Sequence, residues 1–525
     1  MRIFGSLSPS RTTLKSIVVL LVLAIAGCNE PQPFVVSADD LVRANPESQG
    51  ISSEAISQFI HAANASGLEW HSFMLMRHGQ VVAEGWWDPY QPQYKHALYS
   101  LSKSFTSTAV GLCVDDGLLS VDDLVVSFFP DLVPEKHDER LDRMTIRHLL
   151  TMNTGHGTDS WMSILESYED AWIPAFLNHP FEDEPGTAFF YDTGATFMLS
   201  AIVQRVTGKP IEDLLTERIF IPLSIEKHDW ELSPEGINAG GIGLRVTTEA
   251  IAKFGQLYLQ EGQWKGKQLL SKEWVEAATS IQTKSFEGDG DWAQGYGYQF
   301  WRSRYGTYRG DGAYGQYCLM FPEHDAIMAI TSESMDMAAS MEVVWEYILP
   351  AFEEKPLKEN PSALEELEQT ISALRLPTLP ANRIESSEAL FMGHDIVMNE
   401  NQYGVSSIRL TMEEETLTCA MKTGEEENLL KAGSGNWVTN SPETKNLFPA
   451  FYRTDKPSLL AANFHWQDEQ TLVIQLKQVE GMHGDKLRIT FDGEDVTVTF
   501  LNSIAEQEPN EGNNELRVPM TGKLL

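Results

Sequence analysis

A serine and a lysine three residues apart, Ser100 and Lys103, have the side chains and the spacing of a nucleophile and its base. The apolar run Ala109–Val114 follows closely, so this stretch predicts the first turn of a helix that enters a core. Helix positions three apart share a face, which would bring the hydroxyl and the amine within reach of each other. A helix N-terminus also offers free backbone N–H groups to a developing negative charge. The pattern indicates acyl transfer; the alternative is a Ser/Thr-rich helix start with a solvated lysine.

Two further segments could complete such a site. Tyr191 lies at a predicted turn, just before the predicted helix Phe197–Val206. The glycine-dense segment Gly310-Asp311-Gly312 leads into a predicted strand, where glycines let another backbone or a ligand approach closely. The alternatives are a purely structural tyrosine and a bulge or bend in the strand.

The elements around these residues predict one α+β domain. Predicted strands lie at both ends of the region, at Phe73–Arg77, Val81–Trp87, Tyr296–Trp301, Gly315–Phe321 and Ala326–Thr331. Helical patterns surround or separate them, at Ser53–Ala65, Thr145–Met152, Ala171–Leu177, Phe197–Val206, Thr247–Gln260 and Met341–Phe352. We therefore expect a sheet completed by distant segments, with a helical subdomain beside it.

Changes in residue pattern along the sequence divide the chain into further segments. Residues 47–355 form the α+β domain, and residues 356–382 are a linker with one amphipathic helix. Short alternating runs separated by Gly, Asn, Asp and Pro predict an antiparallel β domain, a sandwich or small barrel, at residues 383–505. Residues 506–525 are expected to form a loose polar tail.

The N-terminus has the pattern of an export signal. Basic residues precede the apolar run Ile17–Ile25, which is short for a membrane span. The run ends before Cys28 in a segment that resembles the lipobox of bacterial lipoproteins. The resemblance implies a signal peptide at residues 1–28, a lipid on Cys28, a tether at residues 29–46 and a periplasm-facing position, with sorting to the outer membrane. The alternative is an ordinary signal peptide.

Charge and cysteine usage exclude several classes of protein. The chain has 39 basic and 75 acidic residues, a net charge of −36 that disfavours nucleic acid and anionic lipid headgroups as partners. The 4 cysteines lie far apart without a C-x-x-C pair, which disfavours a zinc ribbon or a disulfide framework. A lipid anchor is therefore the only membrane attachment that we expect, and the sequence does not indicate an oligomeric state.

The chain resembles the serine β-lactamase-like family through three motifs in the family's order: Ser100-x-x-Lys103, Tyr191-Asp192-Thr193 and Gly310-Asp311-Gly312. This family includes class C β-lactamases, DD-peptidases, related esterases, D-aminopeptidases and 6-aminohexanoate-dimer hydrolases. The resemblance covers roughly residues 47–352 and implies an antiparallel sheet flanked by helices. It also implies a serine hydrolase that acts on a small ester or amide without a metal or organic cofactor.

The resemblance implies a role for each matching residue. Ser100 would form the acyl-enzyme, while Lys103 and Tyr191 would share the proton transfers. The backbone N–H groups of Ser100 and Ala313 would form the oxyanion hole. Other residues are candidates for the substrate pocket: Thr193, Gly312, Gln316, Trp161, Trp172 and Trp292.

Two departures from the family pattern limit the substrate. Relatives that act on β-lactams or peptidoglycan stems usually carry a cation in the third motif, where this chain has Gly310. The neighbouring Arg309 would face the other way on a strand. Thr193 also replaces an asparagine that relatives use to hold a substrate amide. We therefore expect a neutral ester or amide; the alternatives are a β-lactamase, a D-amino-acid peptidase or a sensor that is acylated without turnover.

Overall fold

The computed structural model describes residues 41–166, 170–448, 458–507 and 515–525. The predicted signal peptide, Cys28 and most of the predicted tether lie outside these described residues. Among the described residues, no helix has the length and apolar character that crossing a bilayer requires.

The α-helices of the described residues begin mostly at side-chain caps. Ser52 caps the first helix, Asp192 the sixth and Thr247 the eighth, each by accepting a bond from a backbone N–H of the first turn. The helices are α1 Ser53–Ala65, α2 Ser102–Asp115, α3 Ile146–Leu150, α4 Trp161–Glu166, α5 Trp172–Leu177, α6 Thr193–Thr207, α7 Ile211–Leu215, α8 Thr248–Leu259, α9 Lys272–Thr279, α10 Met337–Tyr347, α11 Pro361–Ser372, α12 Glu385–Phe391 and α13 Ser503–Gln507.

The strands fall into two groups that are separated by α11. The first group is β1 Glu69–Arg77, β2 Gln80–Trp86, β3 His96–Ala97, β4 His228–Trp230, β5 Leu244–Val246, β6 Gln263–Trp264, β7 Lys267–Gln268, β8 Trp301–Arg302, β9 Tyr308–Gly312, β10 Gln316–Phe321 and β11 Ala326–Glu333. The second group is β12 Asp395–Met398, β13 Val405–Glu413, β14 Thr416–Thr423, β15 Glu426–Ser434, β16 Val438–Thr439, β17 Leu460–Asp468, β18 Thr471–Gln478, β19 Gly484–Asp492, β20 Asp495–Asn502 and β21 Met520–Leu524.

Six strands of the first group build an antiparallel sheet in the order β2-β1-β11-β10-β9-β8, while β3, β5 and β4 form a small three-stranded sheet and β6 pairs with β7. Alternate side chains of β1 point to opposite faces: Phe73 and Leu75 pack with α1 and α10, while Met74 and Met76 face the core that holds α2 and α8. Because both faces are covered, β1 is apolar along most of its length. Strands from both ends of the domain meet where β1 pairs with β11, which confirms the predicted α+β fold.

The second group forms a closed barrel. Its strands follow the order β15-β14-β13-β12-β21-β20-β19-β18-β17-β16, and a parallel pairing of β15 with β17 closes the ring. The predicted β-rich C-terminal domain is therefore confirmed, and its architecture is a barrel.

Two predicted elements are wrong. The loose polar tail instead contains β21, which pairs with β12 and β20 and buries Met520. Backbone hydrogen bonds to two flanking strands, rather than an apolar sequence, keep this segment in the barrel. The strand expected at Tyr296–Trp301 is reduced to β8, because Gln299 adopts a left-handed φ of 64° that interrupts extended backbone.

Candidate active site

Ser100 lies on a 3-10 turn, Tyr99–Leu101, that leads directly into α2. The sequence predicts that the α-helix begins at this point, whereas α2 begins at Ser102, directly after the 3-10 turn. Tyr99 has a left-handed φ of 46°, which is uncommon for a residue with a side chain. The turn leaves Ser100 half-buried and Lys103 almost fully buried, with an exposed fraction of 1%.

The Lys103 amine donates hydrogen bonds to oxygen atoms from three parts of the chain. Its Nζ lies 3.0 Å from Ser100 Oγ, 2.9 Å from the Gly241 carbonyl oxygen and 3.4 Å from Thr193 Oγ1. These are neutral acceptors, so none holds the ammonium form as a bonded carboxylate would. Burial lowers the pKa of Lys103 to about 8, against the opposing charges of Asp159, Asp192 and Asp311. The amine can therefore accept a proton near neutral pH.

Tyr191 reaches the same hydroxyl from a different segment. Its phenol shares a hydrogen bond with Ser100, and its ring centroid lies 4.9 Å from Lys103 Nζ. The ring also stacks on Trp301, with centroids 5.5 Å apart. Burial, together with the charge of Asp311, raises the pKa of Tyr191 well above its ordinary value. Tyr191 is therefore a proton donor at neutral pH.

Two glycines let β9 lie directly against the serine turn. A Cβ atom on Gly310 would come within 2.5 Å of Leu101 Cδ1 and of Ser104 Oγ. A Cβ atom on Gly312 would stand 2.1 Å from the Leu98 carbonyl oxygen. Only bare backbone fits at these two positions, and the next residue, Ala313, begins the turn that joins β9 to β10.

Arg309 points away from the two glycines, as the alternation of strand side chains predicts. Its Nε donates to Asp311 Oδ2 at 2.9 Å, and its guanidinium lies 4.7 Å from the centroid of the Trp292 ring. The Trp292 indole N–H donates to the same carboxylate oxygen at 3.0 Å. The positive charge of Arg309 is therefore engaged by a carboxylate and an aromatic ring on the face opposite Gly310.

The predicted pocket residues divide into two groups. Thr193 contacts Lys103, Gly312 lies against the serine turn and Trp292 bonds Asp311, so these three belong to the site or its border. Gln316 is fully buried and donates to the carbonyl oxygens of Ala313 and Ser332, at 3.1 and 2.7 Å.

The two remaining tryptophans pack against each other with ring centroids 5.1 Å apart. Trp161 is half-buried. Trp172 has an exposed fraction of 1% and also packs on Phe197. Placing Gln316 and Trp172 in the pocket was therefore wrong: Gln316 supports a backbone turn, and Trp172 belongs to the core.

A pair of carboxylates beside Lys103 was missed by the sequence reasoning. Asp192 is fully buried, and its carboxyl group lies close enough to that of Asp159 for each to shift the pKa of the other. His156 Nδ1 lies 2.9 Å from Asp192 Oδ2, and the Ser160 hydroxyl donates to Asp192 Oδ1 at 2.5 Å. Although burial favours the neutral form, His156 and Ser160 hold the pKa of Asp192 below its ordinary value.

Asp159 is the half-buried member of this pair. Its Oδ1 accepts a bond from the Thr193 backbone N–H at 2.8 Å. Burial and the charge of Asp192 raise its pKa. The cap position before α6 was a signal for Asp192, whereas no local pattern marked Asp159.

Several known proteins are similar to this chain. A model of the Beta-lactamase family matches residues 54–352. The 6-aminohexanoate-dimer hydrolase of Paenarthrobacter ureafaciens is 24% identical over 285 residues, which cover 50% of this chain and 73% of that protein. The Lovastatin esterase of Penicillium rubens is 29% identical over 150 residues, which cover 24% of this chain and 37% of the esterase. The structure of the octameric penicillin-binding protein homologue from Pyrococcus abyssi aligns with a TM-score of 0.45 and 16% identity, covering 89% of this chain and 99% of the other.

Proposed function

Since this chain belongs to the beta-lactamase family, we propose that it is a serine hydrolase that cleaves an ester or amide through an acyl-enzyme on Ser100. The observation that carries the proposal is the convergence on one hydroxyl. Lys103 Nζ lies 3.0 Å from Ser100 Oγ, and the Tyr191 phenol bonds the same residue. A nucleophile with a base and an acid in hydrogen-bond reach has the parts that covalent catalysis requires.

The two pKa directions assign the proton transfers. With a pKa of about 8, Lys103 is partly neutral near neutral pH and takes the proton from Ser100 as Oγ attacks the substrate carbonyl carbon. The backbone N–H groups of Ser100 and Ala313 donate hydrogen bonds to the carbonyl oxygen as negative charge develops on it. Tyr191 keeps its proton until it donates it to the leaving oxygen or nitrogen.

Deacylation uses the same groups, with water as the nucleophile. The proton that Lys103 carries returns to the Tyr191 phenolate, which restores both groups. A water molecule then attacks the acyl carbonyl while Lys103 accepts a proton from it. Lys103 then returns that proton to Ser100 Oγ as the bond between Oγ and the acyl carbon breaks, so the acid product leaves, one water is consumed and the site returns to its starting state.

The charges around the site support a neutral substrate. The ionisable groups that act on Lys103 are the carboxyls of Asp159, Asp192 and Asp311, and the Arg309 guanidinium is already bonded to Asp311. No side chain at Gly310 can supply a cation. A substrate carboxylate would therefore meet repulsion rather than a partner, which disfavours β-lactams and supports esters or uncharged amides.

The test is an activity panel on the full chain: p-nitrophenyl esters, D-amino-acid amides, linear amide oligomers and nitrocefin. We expect ester turnover well above nitrocefin turnover, and a fluorophosphonate label on Ser100 of the active protein. Ser100→Ala should lose both the label and at least about 10³-fold in kcat. Tyr191→Phe should lose about 10²-fold or more, because it removes the acid.

Two outcomes would contradict parts of the proposal. Nitrocefin turnover equal to that of esters would remove the argument from charge. Labelling of Ser100 without product release would favour a sensor that is acylated but does not turn over. A matched control is Ser127→Ala, which changes an exposed serine on another turn and should keep full activity.

A further inference from the structure

A loop of the barrel touches the turn that carries Ser100. This barrel loop is residues 479–483, between β18 and β19. His483 Nε2 lies 2.7 Å from the Tyr99 hydroxyl, and Met482 next to it is buried against Gln316, with 3.9 Å between its Sδ and Gln316 Nε2. The C-terminal barrel therefore contributes side chains to the surroundings of the site.

The barrel loop contacts both segments that carry the two candidate oxyanion donors. Tyr99 directly precedes Ser100, and Tyr314 directly follows Ala313. The His483 ring lies 5.9 Å from the Tyr99 ring and 4.9 Å from the Tyr314 ring, both edge to face, and the two tyrosine rings are 5.5 Å apart. One imidazole thus packs against the neighbours of both donors.

Both tyrosines have backbone conformations that need support. Their φ angles are 46° at Tyr99 and 66° at Tyr314, in the left-handed region that residues with side chains rarely adopt. Such conformations persist only where surrounding contacts hold them. For Tyr314, Ser332 supplies one such contact by donating to its carbonyl oxygen at 2.7 Å. For Tyr99, the bond to His483 is a contact that comes from outside its own domain.

His483 is itself fixed in orientation by a buried carboxylate. Its Nδ1 lies 2.8 Å from Glu333 Oε1, and Lys477 and Ser503 of the barrel also bond Glu333. An ionised carboxylate only accepts hydrogen bonds, so Nδ1 of His483 donates to Glu333 and Nε2 faces the Tyr99 hydroxyl. A hydrogen-bond chain therefore runs from the end of β11, through the barrel loop, to the residue before Ser100.

We propose that His483 is a positioning residue for catalysis, which holds Tyr99 and Tyr314 so that the N–H groups of Ser100 and Ala313 point at one carbonyl oxygen. This inference rests on the proposed function. It assigns the barrel a part in the reaction through the serine turn, without contact between His483 and the substrate.

The test measures ester hydrolysis by the full chain, by three of its variants and by one control variant. Tyr99→Phe removes only the hydroxyl, and His483→Ala removes the hydrogen-bond partner of that hydroxyl and the packing against Tyr314. Loss of one oxyanion donor costs about 10²–10³ in kcat, and a donor that is displaced rather than lost should cost about tenfold. We expect kcat to fall about tenfold or more in each variant, with KM within about twofold of the wild-type value.

The double variant Tyr99→Phe/His483→Ala should be no slower than the slower single variant, since both changes break one connection. The rate of fluorophosphonate labelling should fall in parallel with kcat. His465→Ala is the matched control, because it changes a half-buried histidine on β17 of the same barrel and should leave kcat unchanged.

Several results would overturn the inference. One is a kcat for Tyr99→Phe within about twofold of the wild-type value. This result would count against the inference even if His483→Ala fails to fold. Another is a rise in KM with kcat unchanged, and a third is an equal loss in the His465→Ala control. A wild-type chain that takes no label and hydrolyses no ester would overturn the proposed function, and this inference with it. A labelled, active wild type beside an unaffected Tyr99→Phe overturns the inference alone.

Discussion

Two buried lysines in this protein sit in opposite electrostatic settings. Lys103, in the candidate active site, donates to two hydroxyls and a carbonyl, and burial lowers its pKa to about 8. Lys477, on the barrel side of the junction with the first domain, lies 2.5 Å from Glu69 Oε1 and 3.1 Å from Glu333 Oε2. Burial also opposes the charge of Lys477, but the two carboxylates outweigh it and raise its pKa.

Because burial lowers the pKa of both lysines, the difference between them comes from their bonding partners. With neutral acceptors, the ammonium form is only weakly favoured, so Lys103 can exchange a proton during a reaction. With two bonded carboxylates, the ammonium form is held at every ordinary pH, so Lys477 fastens the barrel to the first domain. Glu69, His71 and Glu333 are close enough to hold a metal ion, and in this structure the Lys477 ammonium supplies the positive charge among them.

The largest expected effect is the loss of activity when Lys103 is replaced. Lys103→Met should lower kcat for an ester by about 10²–10⁴, since it removes the base. Stability should be unchanged or higher, because a buried cation without a carboxylate partner is replaced by an apolar chain of similar volume. Steady-state kinetics and thermal unfolding measure the two quantities. Lys253→Met is the matched control, a lysine on α8 that is 3% exposed and should leave activity unchanged.

The next largest effect is the loss of stability when Lys477 is replaced. Lys477→Met leaves the buried Glu333 and the half-buried Glu69 without their cation, which should cost about 3–5 kcal/mol of the free energy of unfolding. Denaturant unfolding checks this value. Adding Glu333→Gln should recover part of the loss, because one of the two stranded charges is removed. Equal stability of Lys477→Met and the wild type would contradict the comparison.

The pH dependence of hydrolysis tests the lowered pKa of Lys103 and its role as the base. The neutral amine is the active base, so kcat/KM should rise about tenfold per pH unit below pH 8 and level off above it. The stability of the fold should change with pH in the same direction. The folded chain loses this proton near pH 8 and the unfolded chain near pH 10.5, so the contribution of Lys103 to the free energy of unfolding rises with pH between these two values. A flat profile across pH 8 would remove Lys103 as the base.

The smallest effect concerns the contribution of Glu333, the partner of Lys477, to stability at low pH. Burial opposes ionisation of Glu333, yet the charge of Lys477 lowers its pKa from 4.5 to about 2. Its contribution to stability is present above pH 4.5 and is lost as pH falls toward 2. Thermal unfolding midpoints should therefore drop in acid by less in Glu333→Gln than in the wild type. A parallel drop in both proteins would show that other carboxylates carry the acid sensitivity.

The sequence predicted much of the fold because its signals were local. The apolar run of β1 and the helical spacing in α8 each fall within a dozen residues, and the extents of α1 and of the barrel strands follow from such local patterns. Errors came where local signals were weak. The segment that forms β21 is short and polar, and its place depends on two strands that already stand in the barrel.

The candidate site was predicted through ordered motifs, and its surroundings were not. Ser100, Lys103 and Tyr191 were singled out by type and position, and the structure brings them to one hydroxyl. Asp159 carried no pattern, because its importance comes from lying beside Asp192 and Lys103. Trp172 was indistinguishable from a pocket residue until its packing on Phe197 was known.

By itself, the sequence determined the order of the three motifs, the family they resemble, the α+β domain and the β-rich domain that follows. Only the tertiary structure decided which buried lysine is easily deprotonated and which stays charged, and that His483 of the barrel bonds the residue before Ser100. The physical reason is distance along the chain. Lys477 meets one carboxylate 408 residues away and another 144 residues away, and the field at a buried charge is set by such neighbours rather than by adjacent sequence.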